Sequence, residues 1–121
     1  MKKLNQSATK TFLKLVEKMG RTESLRLESP GFMPLNLERL DPLTTPYGDG
    51  ILYSLAHTYI QQGDLMRDPE MCFIVIDNRR NEEDMDFMAI YPQMFRQDNL
   101  GIYEESIFIQ DGAMGSYKPL L

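Results

Sequence analysis

The sequence has no tryptophan, one cysteine and one histidine. A single cysteine excludes an internal disulfide and gives no sign of an oxidising compartment. Cys72 closes no Cys-X-X-Cys motif and lies in the apolar run Met71-Cys72-Phe73-Ile74-Val75-Ile76, so it reads as a small core residue. That run of six is the longest in the chain, far short of the roughly 20 apolar residues that span a bilayer. Met1-Lys2-Lys3 is followed by Asn5-Gln6-Ser7 with no apolar h-region, so no secretory signal is expected and the expected compartment is the cytoplasm. There is no Gly-X-Gly-X-X-Gly, no Walker-type Gly-Lys-Ser/Thr and no serine in a nucleophile-elbow context. The common enzyme templates are therefore absent, as are internal repeats and low-complexity segments.

What is present is one domain of 121 residues, 42% apolar and 26% charged, large enough to fold without a metal or disulfide staple. Charge is divided unevenly. Residues 1–20 carry five lysines and one glutamate, net +4, and the remainder carries net −9. An acidic body argues against direct nucleic-acid binding, which depends on Lys and Arg neutralising phosphates.

Residues 7–19 read as an amphipathic helix, with Phe12, Val16 and Met19 on the buried stripe and Lys10, Lys14 and Lys18 on the solvated face. Ser7 or Thr9 is expected to cap its start, and Gly20 to supply its left-handed end. Residues 24–28 and 33–40 alternate as strands, with Pro34 at the start of the second. Residues 41–50 read as a loop.

Residues 51–60 fit a helix or a strand. Their tyrosines, isoleucines and threonine, bracketed by Gly50 and Gly63, favour the strand, which places Tyr53, His57 and Tyr59 on one face. Strands are expected at 71–77, at 86–95 with a bend at Pro92, and at 102–109 after a turn at 97–101. The segment 110–121 reads as an irregular covering tail. The fold class is α+β: one N-terminal helix on a mainly antiparallel sheet of about five to six strands. One helix of that length cannot cover the sheet, so a homodimer, or curling of the sheet, is expected to hide the rest.

The polar stretch from Leu55 to Met71 is the best candidate site. His57, Asp64, Asp68 and Glu70 could ligate a metal, but Asp64 after Gly63 and Asp68 before Pro69 also suit turn formation, and that plainer reading is preferred. His57 as a general base would need a partner that nothing near it in sequence supplies except Tyr59. A structural, hydrogen-bonded histidine is the simpler reading. Tyr53, Tyr59, Tyr91 and Tyr103 suit either a binding surface or packing under the helix.

Ser54-Leu55-Ala56-His57 and Gln62-Gly63-Asp64-Leu65-Met66-Arg67-Asp68-Pro69-Glu70-Met71 resemble the signature of an uncharacterised bacterial domain family. Phe32-Met33-Pro34-Leu35 with Glu38, Tyr91-Pro92, Gln97-Asp98 and Leu100-Gly101-Ile102-Tyr103 resemble it too. The family tends to have asparagine where this chain has Gln62. Such domains occur in reading frames of plasmids and mobile elements, so the resemblance implies an accessory role in that setting and lends no chemistry.

The expectation is a non-catalytic protein-binding module without cofactor or metal. Its contact or turn-forming residues are His57, Tyr59, Gln62, Gly63, Asp64, Asp68, Glu70, Tyr91 and Tyr103. The alternatives are a metal-assisted hydrolase acting on nucleic acid, with Asp64, Asp68 and Glu70 as ligands and His57 as base, or an acidic DNA mimic.

Overall fold

The first element starts at Asn5, whose side-chain oxygen accepts the Ala8 N–H at 2.8 Å. Asn5, not Ser7 or Thr9, is therefore the N-cap. It satisfies one of the free N–H groups at the head of helix α1 (Gln6–Met19) in a computed structural model of the protein. The structure describes residues 3–31, 33–81, 83–84, 87–110 and 112–117. Gly20 ends α1 as expected and returns its N–H to Val16 and Glu17 carbonyls, but at φ 62° and ψ −129° it has a positive φ without the left-handed helical conformation.

Eight strands follow among the described residues: β1 (Ser24–Leu27), β2 (Leu35–Thr45), β3 (Gly48–Gln61), β4 (Asp64–Asp77), β5 (Met88–Gln97), β6 (Ile102–Glu105), β7 (Ile107–Gln110) and β8 (Ala113–Tyr117). They form one sheet in the order β6-β5-β4-β3-β2-β8-β7, with β1 beside the start of β2. Every pairing is antiparallel except β2 with β8. The α+β class and the N-terminal helix are as the sequence predicts.

Four segments differ from expectation, the first being 102–109, which is not one strand but β6 and β7, broken at Ser106 and paired with β5 and β8 respectively. The composition of 41–50 suggests a loop, yet β2 continues to Thr45 through a register shift between Arg39 and Pro42, which accommodates the proline, and only Pro46 and Tyr47 turn the chain. Likewise the polar centre of 61–70 is mostly strand. Gln62 (φ 53°) and Gly63 (φ 85°) alone make the turn, a two-residue hairpin connection whose left-handed conformation matches the strand twist. The segment after 110 is not irregular throughout: β8 pairs with β7 and, at Thr44, with β2, and Lys118–Leu121 lie outside the described residues.

The two ends of the sheet order, β6 and β7, are separated in the chain by Ser106 alone. The chain thus leaves the edge beside β5, bends at Ser106, and is carried by the β7–β8 hairpin back to β2. The Ser106 N–H donates to Gln93 O at 2.8 Å, its Oγ to Pro92 O at 2.6 Å, and Gln93 Nε2 donates to Ile107 O at 2.9 Å. Curling of the sheet, one of the two devices expected, hides its second face in part.

Two cores result. On the helix side Phe12 and Met19 pack on Leu37, Tyr53, Phe73, Val75, Met88 and Ile90, and Phe12 meets the Tyr53 ring edge-on at 5.8 Å. Arg39 clamps the end of α1: its guanidinium donates to Thr22 O, Gly20 O and the Tyr53 hydroxyl. On the opposite face Ile107 seals Leu43, Ile74 and Ile76. No helix among the described residues is long and apolar enough to cross a membrane.

Ile90 is fully buried and Ile60 is 67% exposed. Ile90→Ala is expected to cost about 2–5 kcal/mol in urea unfolding, and Ile60→Ala within about 0.5 kcal/mol.

Candidate functional site

Alternation along β3 sends Tyr53, Leu55 and His57 toward the helix side and Ser54, Ala56 and Thr58 to the other. The hairpin register sets Ser54 opposite Cys72 and Ala56 opposite Glu70. A register shift then gives β4 one extra residue, so that Thr58 faces Arg67 and the pair Asp68–Pro69, joined by a cis peptide, stands opposite His57. The bulge keeps Arg67 and Glu70, three residues apart, on one face. β5 adds Arg96 opposite Glu70, and β6 adds Tyr103 opposite Arg96 and Glu105 opposite Met94. The β7–β8 hairpin covers the Ile74–Ile76 half of this face. Among the described residues no hairpin crosses the half around Glu70, where Ser54 and Ala56 are buried at its floor.

Glu70 is the centre. Its side chain is only 12% exposed, and a carboxylate in that position must be partnered. The Ser54 hydroxyl donates a short hydrogen bond to Oε2, while Arg67 Nε and Arg96 Nη1 stand 3.8 and 3.9 Å from Oε1. Arg96 Nε also donates to Asp98 Oδ1 at 2.7 Å, and the Arg67 backbone N–H donates to Asp98 Oδ2 at 2.9 Å. Asp98 thereby ties the turn after β5 to the middle of β4. The Arg67 N–H first, and the Arg96 guanidinium second, hold the Asp98 carboxyl below its ordinary 3.8. The Tyr103 hydroxyl donates to Glu105, which pushes its own ionisation up to about 12. Cys72 lies beneath the network. Burial first, and the Glu70 charge second, push its thiol up to about 12, the reverse of what a nucleophile needs.

The expected site residues therefore separate. Glu70 and Tyr103 meet on the open half-face. Gln62 and Gly63 form the hairpin turn. Asp64 and Asp68 are strand residues, Asp64 paired with Gln61 and Asp68 in the bulge. Tyr91 stacks on Tyr47, ring centroids 6.2 Å apart, on the covered half. Tyr59 pairs with Met66 near the hairpin end, on the helix-side face of β3. His57 lies on that same face, and its buried Nδ1 makes no hydrogen bond among the described residues. Among the described residues no three of His, Cys, Asp and Glu are grouped to hold a metal.

Ser54, Arg67, Arg96 and Asp98 are functional candidates that sequence reasoning does not single out for this network. The first pairs with Glu70 only through the β4 bulge, and Arg96 follows a second bulge in β5 between Pro92 and Met94. Around the network stand exposed Ile60, Leu65, Leu100 and Tyr103; Ile60 and Leu65 pair directly across the hairpin.

Fold and site together define a small α+β domain whose sheet closes over half of one face and presents a fixed polar network on the other half. The chain belongs to the family described as Domain of unknown function (DUF6908), whose model matches residues 8–121. No curated protein and no solved structure matches it.

Two outcomes follow from the network. Cys72 in the native protein is expected to react with a disulfide reagent at pH 8 at least roughly 100-fold more slowly than in urea, where its thiol ionises near its ordinary value. Asp98 binds its proton less tightly folded than unfolded. Its stabilisation is therefore complete above pH 3.8 and lost as pH falls through the lower folded value. Asp98→Asn should flatten that part of the acid unfolding curve, read by circular dichroism.

Proposed function

We propose that the protein is a non-catalytic module that binds a protein partner through the open half-face of its sheet. The observation that carries this reading is the ring of exposed Ile60, Leu65, Leu100 and Tyr103 around a network already fixed by hydrogen bonds and ion pairs. Interface energy concentrates in aromatic and arginine anchors surrounded by apolar side chains, and anchors held on paired strands lose little entropy on binding. Arg67 and Arg96 supply planar donors beside Tyr103. Ile60 and Leu65 supply an apolar lip about two residues of β-strand from Arg67.

The chemistry of the same residues supports binding over turnover. Cys72 is protonated and covered, and the Glu70 carboxylate is occupied by Ser54. The setting assigned to this role is the bacterial mobile-element one that the sequence resemblance implies, in the cytoplasm.

The test compares variants in a capture experiment from a bacterial lysate with quantitative mass spectrometry. A partner enriched on the wild-type protein should fall at least about 10-fold on Tyr103→Ala combined with Leu100→Asp, a loss of some 1.4 kcal/mol or more. It should be unchanged on Lys18→Ala, on the far side of the sheet. Equal capture by all three proteins, or no enriched protein at all, overturns the reading.

A further inference from the structure

Along the outer flank of α1 run two contiguous hollows of about 670 and 480 Å³ that share Leu13, Glu17 and Arg79. Both lie apart from the open half-face. The larger is floored by apolar groups of α1 and of the sheet, among them Val16, Ile51, Val75 and Met88. A groove of this size beside a surface helix leaves apolar area uncovered, since Leu13 and Val16 are only half-buried and Ile51 is exposed.

The charges at its rim are polarised. The end near the start of α1 is flanked by Lys10 and Lys14, opposed by Glu83. The end near its finish is flanked by Glu17 and Asp49, and there Asp77 is already neutralised by Arg79, 2.9 Å away. Among the described residues Lys10, Lys14, Glu17 and Asp49 make no ion pair. Helical geometry puts Lys10 and Glu17 on the same face two turns apart, with Leu13 and Lys14 between them.

A helix flank that is basic at one end and acidic at the other is complementary to itself when turned end for end. A two-fold axis passing near Leu13 sets Lys10 of one copy against Glu17 of the other, and the reverse. It also brings Lys14 toward the partner's Asp49 rim and lays apolar Leu13 over the groove. This is the isologous arrangement of a twofold dimer, in which each contact occurs twice. The same chain holds both signs: net +4 over residues 1–20 and net −9 over the rest.

We infer that the α1 groove takes a second copy of this chain, the two α1 helices lying antiparallel.

The experiment uses two charge variants of the full chain and sedimentation equilibrium at low and high salt. Lys10→Glu with Lys14→Glu makes both ends of the groove acidic. Glu17→Lys with Asp49→Lys makes both basic. The wild type should dimerise, and more weakly in 0.5 M salt, because exposed pairs are screened there. Each variant alone should associate at least 10-fold more weakly, and an equimolar mixture of the two should recover dimer as a heterodimer. A monomeric wild type overturns the inference, as does dimerisation unaffected by either variant. So does failure of the mixture to recover dimer while each variant keeps the wild-type circular dichroism spectrum. A variant that loses that spectrum is replaced by its Lys10→Glu or Glu17→Lys single form, and the same mixing outcome decides.

Discussion

The bend at Ser106 is the constraint on which the rest of the structure depends. A twisted antiparallel sheet leaves two unpaired edges and one uncovered face, and a single 14-residue helix can bury only one side of it. At Ser106 the strand that pairs with β5 becomes the strand that pairs with β8. Three hydrogen bonds at that corner, from Ser106 N–H, Ser106 Oγ and Gln93 Nε2, satisfy polar groups that would otherwise be stranded where the ladder breaks. Because the corner is satisfied, Ile107 can drop onto Leu43, Ile74 and Ile76, and β8 can reach Thr44 of β2. Without it, the second core would have no lid.

The cover stops partway along β4, and the residue types change where it stops. Under the hairpin the face is aliphatic, with Ile74 and Ile76 fully buried. One pair further along, Cys72 and Ser54 lie at the border, and one pair beyond that stands Glu70 with two arginines. The gradient is physical. Aliphatic side chains are stable where water is excluded, whereas a carboxylate is tolerated only where hydrogen bonds and opposite charge replace its hydration. Ser54 supplies the neutral donor from the dry side, and Arg67 and Arg96 supply charge from the wet side. The Cys72 thiol, on the dry side of that carboxylate, stays protonated because burial and the Glu70 charge act in the same direction.

Much of this architecture is legible in the amino-acid sequence. The 3.6-residue stripe of Phe12, Val16 and Met19 specifies α1, and Phe12 and Met19 are indeed buried. The alternation of Tyr53, Leu55 and His57 specifies β3 and its faces. Gly63 reads as a turn residue, but the sequence spreads that turn to Asp64 and Asp68–Pro69; the two-residue turn of Gln62 and Gly63 is what fixes Ile60 opposite Leu65 and Thr58 opposite Arg67.

The bulges are not legible. One extra residue at Asp68–Pro69 and another near Gln93 flip the side-chain alternation, and local composition does not say which residue the ladder skips. That is why sequence alone groups Glu70 with Asp64 and Asp68 as a turn carboxylate, and why it does not assemble Ser54, Arg67 and Arg96 around it. The α1 cap falls to Asn5 because a cap is chosen by where the backbone turns, and Ser7 and Thr9 are already inside the helix. β8 pairs chiefly with β7 in a local hairpin and meets β2 only at Thr44; its glycines and the following proline break any strand-like alternation, so local composition hides it.

The α1 groove and the open half-face lie at opposite ends of β3. The groove meets β3 at Asp49, Ile51 and Tyr53, and the open half-face meets it at Thr58 and Ile60. Nine residues of strand separate Ile51 from Ile60, about 30 Å at 3.3 Å per residue. They also face opposite ways, since odd residues of β3 point to α1 and even residues away from it. A second copy seated along α1 therefore leaves both open half-faces free and directs them outward. Two such faces held rigidly in one assembly engage a partner with repeated sites far more tightly than one face alone, because the second contact forms at high effective concentration. On the proposed dimer, the helix that is too short to cover the sheet alone has two tasks: its inner stripe seals one core, and its outer flank would set the spacing between the two proposed binding faces.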